Sequence, residues 1–254
     1  MALLIRVIAL LFYALVVVMN GLANVLPFGG RTTAEVSADY PNLFTPTGFT
    51  FSIWGVIYLL LGGFVVHVLM AKENVITDPS FKILIGLFAV SSILNVSWLL
   101  AWHNDAILLS VIVMVALLVA VGLASSYAEA GGTLARVAFG TYFGWVSIAL
   151  IANVTVLLKR VGFTGFGFEE VNWLILILLV GLVIGMLVLF RERNVAYGLV
   201  FIWAYVGILV KHLSSTGWDR AYPSAIVVLI ICLAVLSITT GYAFFRNDFA
   251  LVER

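Results

Sequence analysis

Long apolar runs separated by short polar segments occupy almost the whole chain. Runs of about 20 residues, the length at which a helix crosses roughly 30 Å of hydrocarbon, cover positions 3 to 26, 49 to 71, 82 to 102, 106 to 127, 137 to 158, 171 to 190, 195 to 212 and 224 to 245. The seventh run is short, and only the segment 191 to 194 separates it from the sixth. The pattern predicts an all-α, polytopic transmembrane helix bundle with seven or eight crossings.

The composition agrees with a membrane environment. Of the 254 residues, 64% are hydrophobic and only 10% are charged, which is typical of integral membrane proteins rather than of soluble domains. A net charge of +1 offers no basic patch, so no nucleic-acid partner is expected. The single cysteine, Cys232, excludes a disulfide within the chain and a cysteine-based metal site. The bilayer is therefore the first expected partner.

The distribution of Lys and Arg predicts an orientation. The side of the N-terminus carries eight of them: Arg6, Lys72, Lys82, Arg136, Arg191, Arg193, Arg246 and Arg254. The opposite side carries five: Arg31, Lys159, Arg160, Lys211 and Arg220. Under the positive-inside rule both termini are expected in the cytoplasm. Since no targeting segment is recognised, the expected location is a prokaryotic plasma membrane.

Four helices carry polar and aromatic residues at steps of three and four, which places each set on one helical face. The sets are Tyr13, Asn20 and Asn24 in the first helix; Phe51, Trp54, Tyr58 and Gly62 in the second; Ser91, Asn95, Trp98 and Trp102 in the third; and Tyr142, Trp145, Ala149 and Asn153 in the fifth. An unpaired polar group in lipid costs several kcal/mol. Two interpretations stay open: contacts between helices and with head groups, or the walls of one cavity.

The longest non-helical stretch runs from Pro27 to Gly48 and joins the first two helices. It combines turn-forming residues with aromatic ones, and the candidate lid residues in and next to it are Tyr40, Phe44, Pro46 and Phe49. Loops of this length are often lids or binding elements. An interfacial aromatic belt is the alternative interpretation, and it needs no ligand.

Three short motifs in this order resemble a known family. They are Phe44-Thr45-Pro46-Thr47-Gly48-Phe49-Thr50-Phe51 with Trp54, Tyr58 and Gly62; Leu94-Asn95-Val96-Ser97-Trp98; and Tyr142-Phe143-Gly144-Trp145 with Ala149 and Asn153. Together they resemble the TspO/MBR family of tryptophan-rich sensory proteins and translocator proteins. The resemblance covers about residues 1 to 160. It divides the chain into a five-helix ligand-binding core (1 to 160) and about three additional C-terminal helices (161 to 254).

The resemblance implies a fold and a ligand class. Members of that family form a five-helix bundle whose pocket opens beneath the first loop and accepts porphyrins, sterols and flat aromatic drugs. On this basis, Trp54, Tyr58, Trp98, Tyr142 and Trp145 would stack on the ligand, while Asn95 and Asn153 would supply hydrogen bonds. A tetrapyrrole is the expected ligand, and no cofactor is required. Binding would serve sensing, sequestration or translocation.

The chain also departs from the family pattern. Pro46 is followed by Thr47 where a Pro pair is usual, and Thr141 replaces the Pro before the fifth-helix Tyr. Between Val154 and Arg160 the Tyr of the sterol-contact pattern is missing, so sterol binding loses support. In the sixth run, Gly181-x-x-x-Gly185 predicts either a packing seam or a homodimer.

Two other classes of function remain as alternatives. The first is a secondary transporter of a small amphipathic molecule, and the second is a membrane enzyme that degrades bound porphyrin. The sequence contains no G-x-S-x-G, H-E-x-x-H or phosphate-binding G-x-x-x-x-G-K-[ST] motif, so we expect a binding protein rather than an enzyme. His103, Asn104 and Asp105 alone offer too few ligands for a metal, and none is expected.

Overall fold

The computed structural model describes residues 1–25 and 30–246. Eight long helices, labelled here α1 to α8 in chain order, are Ala2–Val25, Ile53–Met70, Pro79–His103, Ile107–Tyr127, Gly132–Arg160, Glu170–Glu192, Val195–Leu213 and Pro223–Arg246. The connections contain two short α-helices, Thr33–Ala38 and Glu73–Ile76, and the 3-10 helices Gly48–Ser52, Ala128–Gly131 and Gly165–Gly167. The described residues contain no strand. Residues 27 to 29 of the long loop and Arg254 lie outside the described residues.

The predicted all-α membrane bundle is confirmed. Seven helical stretches are long and apolar enough to span a bilayer, and one of them, Ile107–Arg160, contains both α4 and α5. The seventh run is a separate helix because Arg193 adopts a left-handed conformation (φ 49°) and the Asn194 side chain then accepts a hydrogen bond from the Ala196 N–H at 3.1 Å. The structure therefore has eight membrane-length helices within its described part.

The first five helices close into a ring. Helix α1 packs against α2 and α3, α3 against α4, α4 against α5, and α5 against α2.

Local sequence signals fix where some of these helices begin. At the start of α3, the Asp78 carboxylate accepts hydrogen bonds from the N–H groups of Ser80 and Phe81, and Pro79 occupies the first turn. The centre of this five-helix ring is where the predicted polar and aromatic faces point.

The last three helices pack on the outside of this ring. Helix α7 lies against α5 and α8, and α6 lies against α7 and α8. A side chain at Gly181 or Gly185 would collide with the rings of Tyr205 and Phe201 on α7, respectively, so the small residues permit close helix contact. The Gly181-x-x-x-Gly185 motif is thus a packing seam within the chain.

Helix α7 also holds the chain segment that leads into α2, residues 39–52, called the lid segment below. The His212 Nε2 atom lies 3.0 Å from the Leu43 carbonyl oxygen, the Thr47 N–H donates to the Gly207 carbonyl at 3.2 Å, and the Trp203 Nε1–H donates to the Thr50 carbonyl at 2.9 Å. Gly207 and Trp203 precede the end of α7 by roughly 9 and 15 Å. Backbone outside the eight long helices is stable at that depth because α7 supplies hydrogen-bond partners for it.

We expect Gly207→Ala to destabilise the protein. A Cβ atom at position 207 would lie 2.1 Å from the Thr50 Oγ1 atom, so the lid segment would have to move away from α7. Overpacking of this kind costs about 1–3 kcal/mol, which thermal unfolding in detergent would register as a lower midpoint. Gly241→Ala in α8 is the matched control, because no atom lies within 4 Å of its Cβ position. Equal midpoints for the two variants would contradict the close approach.

Candidate functional site

Trp54 stands at the centre of the candidate site. Its ring stacks on Tyr58, one turn further along α2, with centroids 5.7 Å apart and planes at 14°. It contacts Trp98 of α3 at 5.9 Å. From α5, Tyr142 at 6.0 Å and Trp145 at 6.2 Å meet it edge-on. These five residues, called the aromatic cluster below, join α2, α3 and α5 inside the five-helix ring.

Two further aromatic residues extend the cluster. Trp102 stacks on Trp98 at 6.0 Å and donates its Nε1–H to the Thr33 carbonyl. Phe51 meets Trp145 edge-on at 6.0 Å. Both belong to the faces predicted from the sequence, but neither was among the predicted ligand-binding residues. Their spacing was the signal that could have included them.

The cluster is buried and its polar atoms lack partners. Trp54 is 8% exposed, and Asn95, which lies beside the cluster on α3, is fully buried. Five buried polar atoms have no hydrogen-bond partner among the described residues: Tyr58 Oη, Asn95 Nδ2, Trp98 Nε1, Tyr142 Oη and Trp145 Nε1. The Asn95 side chain lies within reach of a long or bent hydrogen-bond interaction with both tyrosine hydroxyls, but neither pair meets the distance and angle of a full hydrogen bond. Each unsatisfied buried group costs about 1–3 kcal/mol.

Asn95 is oriented by the first helix. The Asn20 side-chain N–H group donates to the Asn95 Oδ1 atom at 2.8 Å and to the Val16 carbonyl at 2.8 Å. Since the Asn95 oxygen is occupied in this way, its amide N–H group is the part available to the cluster. The polar face of α1 therefore contributes to the site indirectly, because Asn20 fixes the orientation of the Asn95 amide on α3.

Asn153 occupies a different place. Its Oδ1 atom accepts a hydrogen bond from the Ser110 hydroxyl at 2.9 Å, and the side chain is 2% exposed. This contact joins α4 to α5, and Asn153 follows Trp145 on α5 by roughly 12 Å. The structure thus brings Trp54, Tyr58, Asn95, Trp98, Tyr142 and Trp145 together, whereas Asn153 links two helices of the ring.

The four predicted lid residues do not share one location. Phe49 is 47% exposed and packs edge-on against Trp203 of α7 at 5.5 Å. Phe44 is 2% exposed and lies beside α5 and α6, and Pro46 is buried as well. Tyr40 lies at the ends of α3 and α5. Sequence reasoning missed the role of α7, because its contacts with the lid segment follow no periodic pattern.

Tyr40 takes part in a polar contact that fastens the lid segment to the ring. Its hydroxyl donates to the Asp105 Oδ1 atom at 2.5 Å and accepts from Arg160 at 3.0 Å, while Arg160 also pairs with the Asp105 carboxylate at 2.5 Å. The Tyr40 hydrogen bond, followed by the Arg160 guanidinium, lowers the pKa of the Asp105 carboxyl below its ordinary value. The same hydrogen bond raises the pKa of the Tyr40 hydroxyl. The contact thus favours the charged forms of Asp105 and Arg160 and the protonated, hydrogen-bond-donating form of Tyr40.

Comparison with known proteins identifies the family. A family model described as TSPO-like protein matches residues 6–242. This chain belongs to the TSPO-like protein family. The match extends from α1 into α8 and so includes α6, α7 and most of α8, beyond the 160 residues that carried the resemblance in sequence. No curated protein and no solved structure matches this chain. The division into a core and a C-terminal part stays a prediction.

In this TSPO-like protein the aromatic cluster is closed. Neighbouring ring centroids lie 5.7 to 6.2 Å apart, whereas a flat molecule stacked between two rings needs about 7 Å, because carbon atoms approach to about 3.5 Å on each side. A flat ligand inserted between two of these rings therefore has to displace at least one of them. Among the described residues no three His, Cys, Asp or Glu side chains are grouped as metal ligands would be.

We expect Asp105→Asn to lower stability at neutral pH and to remove one acid-dependent transition. The pKa of Asp105 is lowered in the fold, so its contribution is present above the ordinary carboxyl pKa and is lost as the pH falls through the lower folded value. Solvent screening limits the loss to about 1 kcal/mol or less. Asparagine tolerates the positive φ of 61° at this position.

The measurement is the unfolding midpoint of wild type and Asp105→Asn from pH 7 down to pH 2. The difference between them should begin to shrink as the pH falls below about 3.9, the ordinary carboxyl value, and should be lost only below the lower folded pKa. Glu73→Gln, at the opposite end of the ring, is the control and should follow the wild-type profile. A constant difference at every pH would show that Asp105 acts only through its shape.

Proposed function

We propose that this protein binds a large, flat, mostly hydrophobic ligand of tetrapyrrole type at the aromatic cluster, for sensing, sequestration or translocation. The observation that carries the proposal is the convergence of five buried, unpaired polar atoms from α2, α3 and α5 around the ring of Trp54. A bundle that served only structure would be more stable with apolar side chains at these positions. A ligand that satisfies those atoms explains why they are present.

The chemistry of the unpaired atoms restricts the ligand. Tryptophan Nε1 and asparagine Nδ2 atoms can only donate hydrogen bonds, and tyrosine hydroxyls can donate as well. The ligand must therefore present acceptors, such as carboxylate or carbonyl oxygens, around an apolar plane that stacks on the aromatic faces. A porphyrin with carboxylate side chains combines both properties. A sterol offers neither a flat π-system nor several acceptors.

Ligand binding requires the beginning of α2 to move. Trp54 is the second residue of α2 and follows the 3-10 helix Gly48–Ser52. The hydrogen bonds from α7 to Thr47 and Thr50 hold this region against the C-terminal helices. Loosening those bonds would let the Trp54 ring swing away from Trp98 and Trp145. We therefore place the opening step between the lid segment and α7.

We also infer an orientation in a prokaryotic plasma membrane with both termini in the cytoplasm. The end of the bundle that carries the lid segment has fewer Lys and Arg residues than the end that carries the N-terminus, as the positive-inside rule requires for an outward-facing lid. A homodimer stays a prediction. The Gly181-x-x-x-Gly185 motif itself is used for packing within the chain. Transport and degradation of the ligand also stay predictions.

We expect Tyr142→Phe to weaken binding while it stabilises the free protein. The substitution removes an unpaired hydroxyl and keeps the ring, so the ligand-free state should gain on the order of 1 kcal/mol and affinity should fall about five- to tenfold. The measurements are tryptophan quenching during titration with protoporphyrin and thermal unfolding without it. Trp54→Ala, which removes the central ring, should abolish quenching of the remaining cluster.

Tyr205→Phe is the matched control. The Tyr205 hydroxyl donates to the Leu178 carbonyl at 2.7 Å, outside the cluster. Its removal should lower stability by about 1 kcal/mol and leave protoporphyrin affinity unchanged. If both Tyr142→Phe and Trp54→Ala bound protoporphyrin with wild-type affinity, the aromatic cluster would not be the binding site.

The orientation is testable by labelling cysteines in whole cells. In a Cys232→Ser background, Ser215→Cys reports the lid end and Asn74→Cys the opposite end, and both positions are exposed. We expect an impermeant maleimide to label position 215 in intact bacterial cells and position 74 only after the membrane is permeabilised. The reverse pattern would overturn the inferred orientation.

A further inference from the structure

A separate cavity of about 260 Å³ lies between the lid segment, the end of α5 and the beginning of α6. Its lining includes Asn42, Leu43, Phe44, Thr155, Lys159, Glu170 and Trp173. None of these residues belongs to the aromatic cluster. Its floor is apolar and buried, because it consists of Leu43, Phe44 and Leu174, each of which is 2% exposed.

The connection between α5 and α6 is shaped to form one wall of this cavity. Gly165 has a positive φ of 70°, and a Cβ atom there would lie 2.6 Å from the Trp173 Nε1 atom. Glycine therefore lets the Trp173 indole approach and donate to the Gly165 carbonyl at 2.9 Å. Phe163 packs edge-on against Trp173 at 5.6 Å. The result is an aromatic wall near the ends of two membrane-spanning helices, where head groups lie.

Charged groups stand at the mouth of the cavity. The Lys159 Nζ atom lies 2.9 Å from the Glu170 Oε1 atom, and the two side chains are 40% and 44% exposed. An ammonium group has three donors and a carboxylate two acceptor oxygens, so each has capacity beyond this pair. By contrast, Asn42 and Thr155 are engaged with nearby backbone groups. The cavity thus offers one positive and one negative group above an apolar floor.

We propose that this cavity binds a bilayer phospholipid whose head group carries both a phosphate and a primary ammonium, that is, a phosphoethanolamine lipid. The phosphate pairs with Lys159 and the ammonium donates to Glu170, while part of one acyl chain fills the apolar floor. An apolar void loses dispersion contacts when it is empty, and acyl chains are the abundant apolar groups in a membrane. A purely anionic head group would meet repulsion from Glu170, and a choline head group has no N–H to donate.

The test measures quenching of Trp173 by phospholipids with brominated acyl chains. Wild type and Trp173→Phe are reconstituted in phosphatidylcholine vesicles containing brominated lipid with an ethanolamine, choline or glycerol head group, and the difference between the two proteins reports the cavity. We expect the ethanolamine lipid to associate about fivefold more strongly than either of the others, because partly exposed ion pairs contribute little more than this.

The variant Lys159→Gln with Glu170→Gln should lose this preference while it keeps a side-chain hydrogen bond across the cavity mouth. The matched control is Arg136→Gln with Glu129→Gln, which removes an ion pair at the opposite end of the bundle and should leave the preference intact. Equal quenching by the three lipids, stronger quenching by the glycerol lipid, or an unchanged preference in the first double variant would each overturn the proposal.

Discussion

The structure depends on one constraint: backbone polar groups inside the hydrocarbon layer must be hydrogen-bonded by protein. The chain enters α2 through the lid segment, which lies outside the long helices. Helix α7 supplies hydrogen-bond partners for this segment at three depths, with His212, Gly207 and Trp203 facing Leu43, Thr47 and Thr50. The position of Trp54 follows from this, because it lies in the first turn of α2, directly after that segment. The C-terminal helices are therefore needed to place the central residue of the site.

In the aromatic cluster, by contrast, buried polar side-chain atoms have no hydrogen-bond partner within the described part of the chain. Unpaired polar atoms are retained on α2, α3 and α5 in a place where each lowers stability. Elsewhere in the described bundle some buried polar groups are paired across helices, as Ser110 with Asn153 and Tyr205 with Leu178, whereas single atoms such as Trp218 Nε1 and Thr240 Oγ1 also have no hydrogen-bond partner. The cluster differs from those scattered positions because five such atoms converge on one group of contacting rings. Stability given up at one location is typical of sites that bind or react.

The sequence predicts the helices well because apolar runs of membrane length leave few other structures. Spacing also identifies the faces that carry Trp54, Trp98 and Trp145, since residues three or four positions apart share a helical side. It cannot determine which helix lies opposite each face. Asn153 and the lid residue Phe49 illustrate this limit, because their partners Ser110 and Trp203 are 43 and 154 positions away and belong to contacts without any repeating pattern.

The two proposed sites share the lid segment. Leu43 and Phe44 form the floor of the cavity beside α6, and the same segment continues through Thr50 to the start of α2. A lipid chain packed on Leu43 and Phe44 would favour the position in which Leu43 contacts His212, and hence the closed aromatic cluster. Opening the cluster would move the lid segment, and with it Leu43 and Phe44 in the floor of the cavity. Since a ligand can shift an equilibrium only through different affinities for its two states, lipid at the cavity and a flat ligand at the cluster would oppose each other.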